Sequence, residues 1–340
     1  MHRYVMAGLC CLSMSQAAYA GGLFSGESSA NQDKIAPDEA KLVTLENREN
    51  EMFPKVSPDG KYLLTLVMQG NDAWISRRSV ENGDHLNTVT NDIAALSSFA
   101  WFDDKVTFLS SRTGLLSLWK KPSNGEGLMR REMELTGKLQ DITLLSDGSL
   151  IATRLVQGYK QAHGLSSDHF NNWDMGDLHS YVVHVFPDGS EKRLSEGVSP
   201  AVSADGQQVV FSIPMGRSTH LFMMQTDGTH LAELTDARSS DVQPVWSRDG
   251  KWVVFTSNRG HMDLHSDSKS NWDIWAISSQ GTNLTRLTND EGRDGSPSVG
   301  EDGEIYFHSD RRVDRALSEQ RQMKGSTSGF HIWRVKLPAL

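Results

Sequence analysis

A turn motif centred on aspartate recurs six times along the chain, at Asp59, Asp103, Asp147, Asp205, Asp249 and Asp302. Successive aspartates are 44, 44, 58, 44 and 53 residues apart, which gives a basic period of 44 residues with two insertions. Self-similarity at this period is typical of architectures in which each unit packs against its neighbours. We therefore expect the chain to fold as six copies of one structural unit.

Each of the first five copies contains four short runs that have the composition of β-strands. In the fifth copy, one run precedes the turn aspartate, and the others are Trp252–Thr256, Asp273–Ile277 and Arg286–Thr288. Four antiparallel strands per repeat are typical of a β-propeller blade. The Asp-Gly pairs between the first two runs predict two-residue hairpin turns in which both residues take positive φ.

The sixth copy has no closing run, and a segment before the first copy can supply it. Leu42-Val43-Thr44-Leu45 matches the closing pattern, so residues 41–46 are expected to pair with the strand near 331–337. Such pairing closes the ring and covers a sheet edge that would otherwise favour aggregation. The predicted fold class is all-β, a single six-bladed β-propeller of four-stranded antiparallel blades over residues 41–340.

The first 20 residues have the pattern of a secretory signal peptide. Arg3 gives a positive start, residues 5–14 are mainly apolar, and Ala18-Tyr19-Ala20 forms a cleavage pattern. A lipoprotein signal at Cys10 is the alternative, but the bulky Leu9 stands where a small residue is expected. Residues 21–40 are small and polar, and they predict a flexible arm. The predicted location is the periplasm.

Charge and hydropathy restrict the partners. The net charge of −9 disfavours general binding to nucleic acid or to anionic lipid. No later apolar stretch approaches the roughly 20 residues of a transmembrane helix, so no transmembrane segment is expected. Both cysteines, Cys10 and Cys11, lie within the predicted signal peptide, which excludes a disulfide framework in the exported chain.

Three segments carry two resemblances to known propellers. Pro54–Gly60 and Asp241–Arg259, with the sequence Pro-Val-Trp-Ser-Arg-Asp-Gly-Lys-Trp inside the second, resemble the repeats of TolB-type propellers over about residues 41–340. Residues 169–182 are similar to a segment of the propellers that precede the catalytic domain of prolyl-oligopeptidase-type peptidases. The first resemblance implies a six-bladed propeller with partners in the cell envelope.

Six charged residues are candidates for a binding site at the mouth of the central channel. Glu51, Asp241 and Asp294 each precede a turn aspartate by eight residues, and Arg112, Arg259 and Arg311 follow the second strand as Ser-x-Arg. Carboxylates that converge on a channel would attract a cation or a basic partner. The alternative is that these groups cap turns and pair between blades.

The insertion in blade 3 contains a possible divalent-metal site. Its candidate ligands are His163, His169, Asp174 and His179, and a second group of histidines and aspartates lies between His261 and Asn271. Imidazole and carboxylate are suitable ligands, but no fixed ligand spacing is present. The alternative is a polar surface loop anchored by Trp173, with Trp272 in the same role in blade 5. No other cofactor is expected.

Catalytic motifs are weak. Gly325–Gly329 resembles a nucleophile elbow but has Thr327 at its centre, within a polar stretch, which favours a loop. Residues 313–321 can form a short helix that docks a partner, or a solvated loop.

The favoured function is a non-enzymatic, monomeric scaffold that binds a protein or peptide in the periplasm. The alternative is a metal-supported hydrolase or lyase, or a carbohydrate-binding propeller.

Overall fold

Short antiparallel strands dominate the computed structural model, which describes residues 34–44, 50–70, 72–91, 98–156, 180–216, 218–261, 271–313 and 329–337. Blade 1 contains β3 (Asn50–Val56), β4 (Tyr62–Gln69), β5 (Asp72–Ser79) and β6 (His85–Thr90). Blade 2 contains β7 (Phe99–Phe102), β8 (Lys105–Ser110), β9 (Ser117–Pro122) and β10 (Arg130–Glu134). Blade 3 contains β11 (Lys138–Leu144), β12 (Leu150–Leu155), β13 (Ser180–Val185) and β14 (Glu191–Glu196). Blade 4 contains β15 (Val198–Val202), β16 (Gln208–Met215), β17 (Ser218–Gln225) and β18 (Ala232–Glu233). Blade 5 contains β19 (Asp241–Trp246), β20 (Trp252–Ser257), β21 (Asp273–Ser278) and β22 (Thr285–Arg286). Blade 6 contains β23 (Asp294–Val299), β24 (Glu304–Ser309) and β25 (His331–Lys336).

The six blades form a closed ring. Their first strands contact one another in the cycle β3, β7, β11, β15, β19, β23 and back to β3. Among the described residues, six hydrophobic clusters hold the ring together, and each lies mainly between two neighbouring blades. Because the apolar faces are shared in this way, a single blade could not bury its own core. The predicted six-bladed propeller is confirmed.

The last blade is completed by β2 (Lys41–Leu42), as the sequence predicts. Lys41 pairs with Arg334 and Leu42 pairs with Trp333 in antiparallel register. The Val43 N–H donates to the Ile332 carbonyl at 2.8 Å, so the pairing extends beyond the regular strand. Ring closure therefore joins an N-terminal strand and the last strand of the described chain within one sheet.

Blade 5 has an additional strand from the N-terminal side. β1 (Lys34–Ile35) pairs in parallel with β22, so this sheet has five strands. The described part of the predicted arm begins here, whereas the predicted signal peptide and residues 21–33 lie outside the described residues. No α-helix occurs in the described segments, and none of them could span a membrane as a helix.

The expectation that both residues of each Asp-Gly pair have positive φ is wrong. Gly60 has a φ of 69°, but Asp59 is absent from the residues with positive φ, and the same holds for the Asp-Gly pairs of blades 3 to 6. The Gly60 N–H donates to the Ser57 carbonyl at 3.0 Å, which makes a four-residue turn. The Ser57 hydroxyl donates to Asp59 at 2.6 Å and accepts from the Tyr62 N–H at 2.9 Å, and these bonds fix the longer turn.

Five of the six first strands contain a β-bulge. Its middle residue has positive φ in each case: Phe53, Asp141, Ser199, Gln243 and Ser296. The Ser199 N–H donates to Thr153 Oγ1 at 3.0 Å, and the Ser296 N–H donates to Gln243 Oε1 at 2.8 Å. Each bond joins neighbouring blades close to the axis, so the bulges stabilise the ring.

Candidate functional site

The two faces of the ring carry different kinds of connection. The second strands end, and the third strands begin, on one face, which we call the insertion face; the turns after the first strands lie on the opposite face, which we call the turn face. The segments 157–179, 262–270 and 314–328 all follow second strands. These segments lie outside the described residues, as do His163, His169, Asp174, His179 and Trp173, residues 325–328, and most of the predicted docking segment 313–321.

Asp241 and Arg259 form a buried ion pair at the insertion face. Asp241 begins β19 and is fully buried. Its carboxylate accepts from the Arg259 guanidinium and from the hydroxyls of Ser239, at 3.2 Å, and Ser257, at 2.6 Å. The guanidinium lies over Trp275, 5.3 Å from the ring centroid. This arrangement satisfies the carboxylate within its own blade.

Asp294 and Arg311 repeat this arrangement in blade 6 with additional carboxylates. Arg311 contacts Asp294 at 2.6 Å, Asp290 at 2.8 Å and Asp38 at 3.2 Å, and it also lies over Trp333. One guanidinium is therefore shared by three carboxylates. Asp38 belongs to the segment that precedes β2, so this cluster also attaches the N-terminal side of the chain.

Glu51 is paired with a residue that the sequence motif does not indicate. Its carboxylate lies 2.5 Å from the Arg78 guanidinium, and both side chains are almost completely buried. Arg78 lies on the third strand of blade 1, whereas Arg259 and Arg311 follow second strands. Sequence reasoning missed Arg78 because blade 1 has no Ser-x-Arg after its second strand, the position at which the motif was sought.

Arg112 has the Ser-x-Arg position in blade 2. Its backbone N–H donates to the Ser110 hydroxyl at 3.2 Å, as Arg259 and Arg311 do to their own serines. Its guanidinium contacts the Met129 sulfur and lies 5.5 Å from the centroid of Trp119. The structure therefore pairs four of the six predicted channel-mouth residues within their blades, Asp241 with Arg259 and Asp294 with Arg311. Glu51 pairs instead with Arg78, and all three acidic members are buried.

Two further ion pairs lie in blades 5 and 6. Asp273, from the second Asn-Trp-Asp sequence, contacts Arg286 at 2.9 Å, and Asp310 contacts Arg293 at 2.7 Å. Trp272 is buried in the hydrophobic cluster that also contains Phe330, as expected for an anchor. Among the described residues, no group of three histidine, cysteine or acidic side chains has the geometry to hold a metal ion.

Burial changes the acidity of this region. It raises the pKa of Asp273 to about 8 and the pKa of Asp294 to about 6, although Arg286 and Arg311 oppose the two shifts. Both values lie above the pKa of about 3.9 that an aspartate has in an unfolded chain. The folded state therefore binds protons that the unfolded state has released between about pH 4 and pH 8.

We expect the Asp273→Asn variant to flatten the dependence of stability on pH. In the native chain, the free energy of unfolding should fall as pH rises from 5 to 8, by at most about 1.4 kcal/mol per pH unit for each proton. Urea unfolding at several pH values measures this slope. The control is Asp205→Asn, because its hydroxyl partner lowers the pKa of this exposed turn carboxylate. An unchanged slope between pH 6 and 8 in the Asp273 variant would contradict the assignment.

The first strands also carry a lysine that the sequence reasoning did not single out. Burial lowers the pKa of Lys55 in β3, and the negative charge of Asp141 in β11 opposes this shift. Gln140 and Thr153 donate hydrogen bonds to the Asp141 carboxylate at 3.2 and 3.1 Å. The equivalent position after the bulge is Ala201 in blade 4 and Val245 in blade 5, so no repeated signal marks Lys55.

Three exposed apolar side chains lie on the insertion face. Leu115, Val156 and Met215 are 56%, 37% and 49% exposed, and they follow or end the second strands of blades 2, 3 and 4. The other large exposed hydrophobic residues of the described chain lie on or beside outermost strands: Ile35, Leu86, Leu128 and Leu231. Leu128 and Leu231 precede fourth strands and therefore lie in connections on the turn face, so exposed apolar side chains occur on both faces.

Comparison with known proteins supports the fold. No family model matches the chain. A segment of 73 residues is 33% identical to dipeptidyl-peptidase 5 of Porphyromonas gingivalis, and it spans 20% of this chain and only 11% of that protein.

Solved structures match over much more of the chain. A putative TolB from Agrobacterium tumefaciens has a TM-score of 0.53 at 17% identity, over 86% of this chain and 91% of that one. An oligogalacturonate lyase in complex with manganese has a TM-score of 0.51 at 12% identity, over 89% and 92% of the two chains. A puromycin hydrolase has a TM-score of 0.50 at 14% identity, over 81% of this chain but 47% of its own. These likenesses agree with the two resemblances in the sequence, and the chain is a six-bladed β-propeller with the fold of the TolB and peptidase propellers.

Proposed function

We propose that this chain is an exported scaffold of the cell envelope that binds a protein partner through the insertion face. The observation that carries the proposal is the presence of Leu115, Val156 and Met215, all exposed, on three consecutive blades of that face. Exposed apolar side chains grouped on one face are typical of protein-binding surfaces, and methionine is enriched in such interfaces.

The charged groups of the same face support binding by shape and apolar contact. Asp241, Asp294 and Glu51 are buried and each is neutralised by an arginine of its own blade. Such groups stabilise a single geometry of the strand ends, and they are not exposed to a soluble ligand. The ring thus supplies a rigid platform on which connections of several blades converge.

The location rests on the sequence and on the fold. Residues 1–20 have the pattern of a signal peptide, and the structure is similar to TolB. We propose the periplasm as the compartment, with the propeller acting as a monomer toward its partner.

Crosslinking in the periplasm tests this function. The native chain is compared with the triple variant Leu115→Ser, Val156→Ser and Met215→Ser, and with the matched control Leu86→Ser, Leu128→Ser and Leu231→Ser. We expect one dominant crosslinked protein with the native chain and the control, and at least a tenfold loss with the insertion-face variant. Equal crosslinking by all three chains would exclude the insertion face as the binding surface.

The second candidate is a metal-supported enzyme, and it is favoured by the likeness to a lyase solved with manganese. This candidate requires the blade 3 histidines as ligands. It predicts stoichiometric divalent metal in the purified native chain and its loss from the variant His163→Ala, His169→Ala and His179→Ala. If neither the native chain nor the variant contains divalent metal, the metal-supported enzyme is excluded.

A further inference from the structure

The segment Lys34–Ala40, which we call the strap, lies along the outer edge of blade 5 as an extended chain. The Lys34 N–H donates to the Leu284 carbonyl at 3.3 Å, and the Ala36 N–H donates to the Arg286 carbonyl at 3.0 Å. Donors at alternate residues are those that face the sheet in an extended strand. Pro37 occupies the next outward position, where the strand needs no donor.

Asp38 is the next alternate residue of the strap, and it contacts the blade through its carboxylate. Asp38 accepts from the Asn289 N–H at 3.0 Å and pairs with Arg311 at 3.2 Å. Positions 34, 36 and 38 therefore supply two amide donors and one anion to a single receiving surface. That surface consists of Leu284, Arg286, Asn289 and Arg311.

Other side chains of the strap contribute little to recognition. Ile35 is 64% exposed, while Ala36 and Ala40 pack at the margin of the cluster between blades 5 and 6. The surface therefore recognises backbone N–H donors at positions 34 and 36, a small side chain at position 36 and a carboxylate at position 38. Any extended chain with these features would make the same contacts.

The regular pairing of the strap is short. The ladder with β22 covers only two residues, whereas β2, which follows directly, is an integral strand of blade 6. Arg311 keeps two carboxylates, Asp290 and Asp294, when Asp38 leaves. Removal of the strap would therefore uncover the receiving surface without leaving its guanidinium unpaired.

We propose that the outer edge of blade 5 is a second docking site, which accepts an extended acidic segment of another protein in parallel to β22 when that segment displaces the strap. The strap shows how such a segment binds. This inference concerns the blade edge and is independent of the proposed role of the insertion face.

A labelled peptide of residues 34–40, acetylated and amidated, tests the site. It is titrated by fluorescence anisotropy into the full native chain and into the full chain carrying Ala36→Pro and Asp38→Asn. These substitutions remove one amide donor and the carboxylate from the strap, and they leave blade 5 unchanged. Because a tethered strap competes at a high effective concentration, we expect the double variant to bind the peptide at least about tenfold more tightly than the native chain does.

Two further peptides give the controls. The peptide with Asp38→Asn should bind the double variant about tenfold more weakly, because it lacks the partner of Arg311, and a scrambled peptide of equal charge should not bind. Equal affinity of the native chain and the double variant would overturn the displaceable strap. Equal affinity of the acidic and amide peptides would overturn the recognition of a carboxylate.

Discussion

Replacement of Arg311 by methionine is expected to lower the free energy of unfolding by about 3–5 kcal/mol at neutral pH, which is the usual cost of breaking a buried ion pair by removing one partner. Methionine has a similar length and fills irregular space well, so the loss should come from charge and not from a cavity. Asp294 would remain fully buried with no guanidinium, and Asp290 and Asp38 would lose the same partner.

Urea unfolding of the native and variant chains measures this loss. The matched control is Arg131→Met, because Arg131 and its partner Glu134 are about half exposed and such pairs contribute roughly 0–1 kcal/mol. The loss at Arg311 should decrease toward pH 5, since the pKa of Asp294 is already about 6 and rises further without the guanidinium. A loss below about 1 kcal/mol at neutral pH would contradict the assigned role of the buried pair.

Removal of the closing strand should have an effect of similar size. A variant that lacks residues 1–44 loses Leu42 and Val43, which are 8% and 4% exposed and lie in two different clusters between blades. Burial of such side chains contributes about 1.5–3 kcal/mol each, so the free energy of unfolding should fall by at least about 3 kcal/mol. The edge of β25 would also be uncovered, which favours association between copies.

A variant that lacks residues 1–40 is the control, because it keeps β2 and loses only the strap and the preceding residues. Denaturant unfolding and size-exclusion chromatography should show a stable, monodisperse control and a destabilised, concentration-dependent variant. Identical behaviour of the two chains would show that β2 does not close the ring.

The propeller architecture was predictable from the sequence because the same turn motif, which is weak evidence on its own, recurs at a regular spacing. One turn aspartate predicts a single turn, but six at a period near 44 residues, five of them in Asp-Gly pairs, predict the number of blades and the place of each second strand. The closing strand was predictable for the same reason, since Leu42–Thr44 matches a pattern that five other blades repeat.

The ion-pair partners and the turn conformation were not predicted, because they depend on contacts that the repeat pattern does not contain. Glu51 pairs with Arg78, and Asp38 reaches Arg311 across 273 residues, so neither partner could be identified from spacing. The turns were predicted with the wrong backbone because Ser57 bonds both to Asp59 and to the Tyr62 amide, which favours a longer turn. The metal ligands predicted in blade 3 stay a prediction, because they lie outside the described residues.

Hydrogen exchange on the crosslinked partner complex tests the central claim that the insertion face is the binding surface. Peptides that contain Leu115, Val156 and Met215 should exchange more slowly in the complex than in the free propeller, because a bound protein excludes water from their backbone. The turns at Ser57–Gly60, Ser203–Gly206 and Ser247–Gly250, on the opposite face, should exchange at the same rate in both states. Protection confined to those turns, with none at the insertion face, would contradict the account.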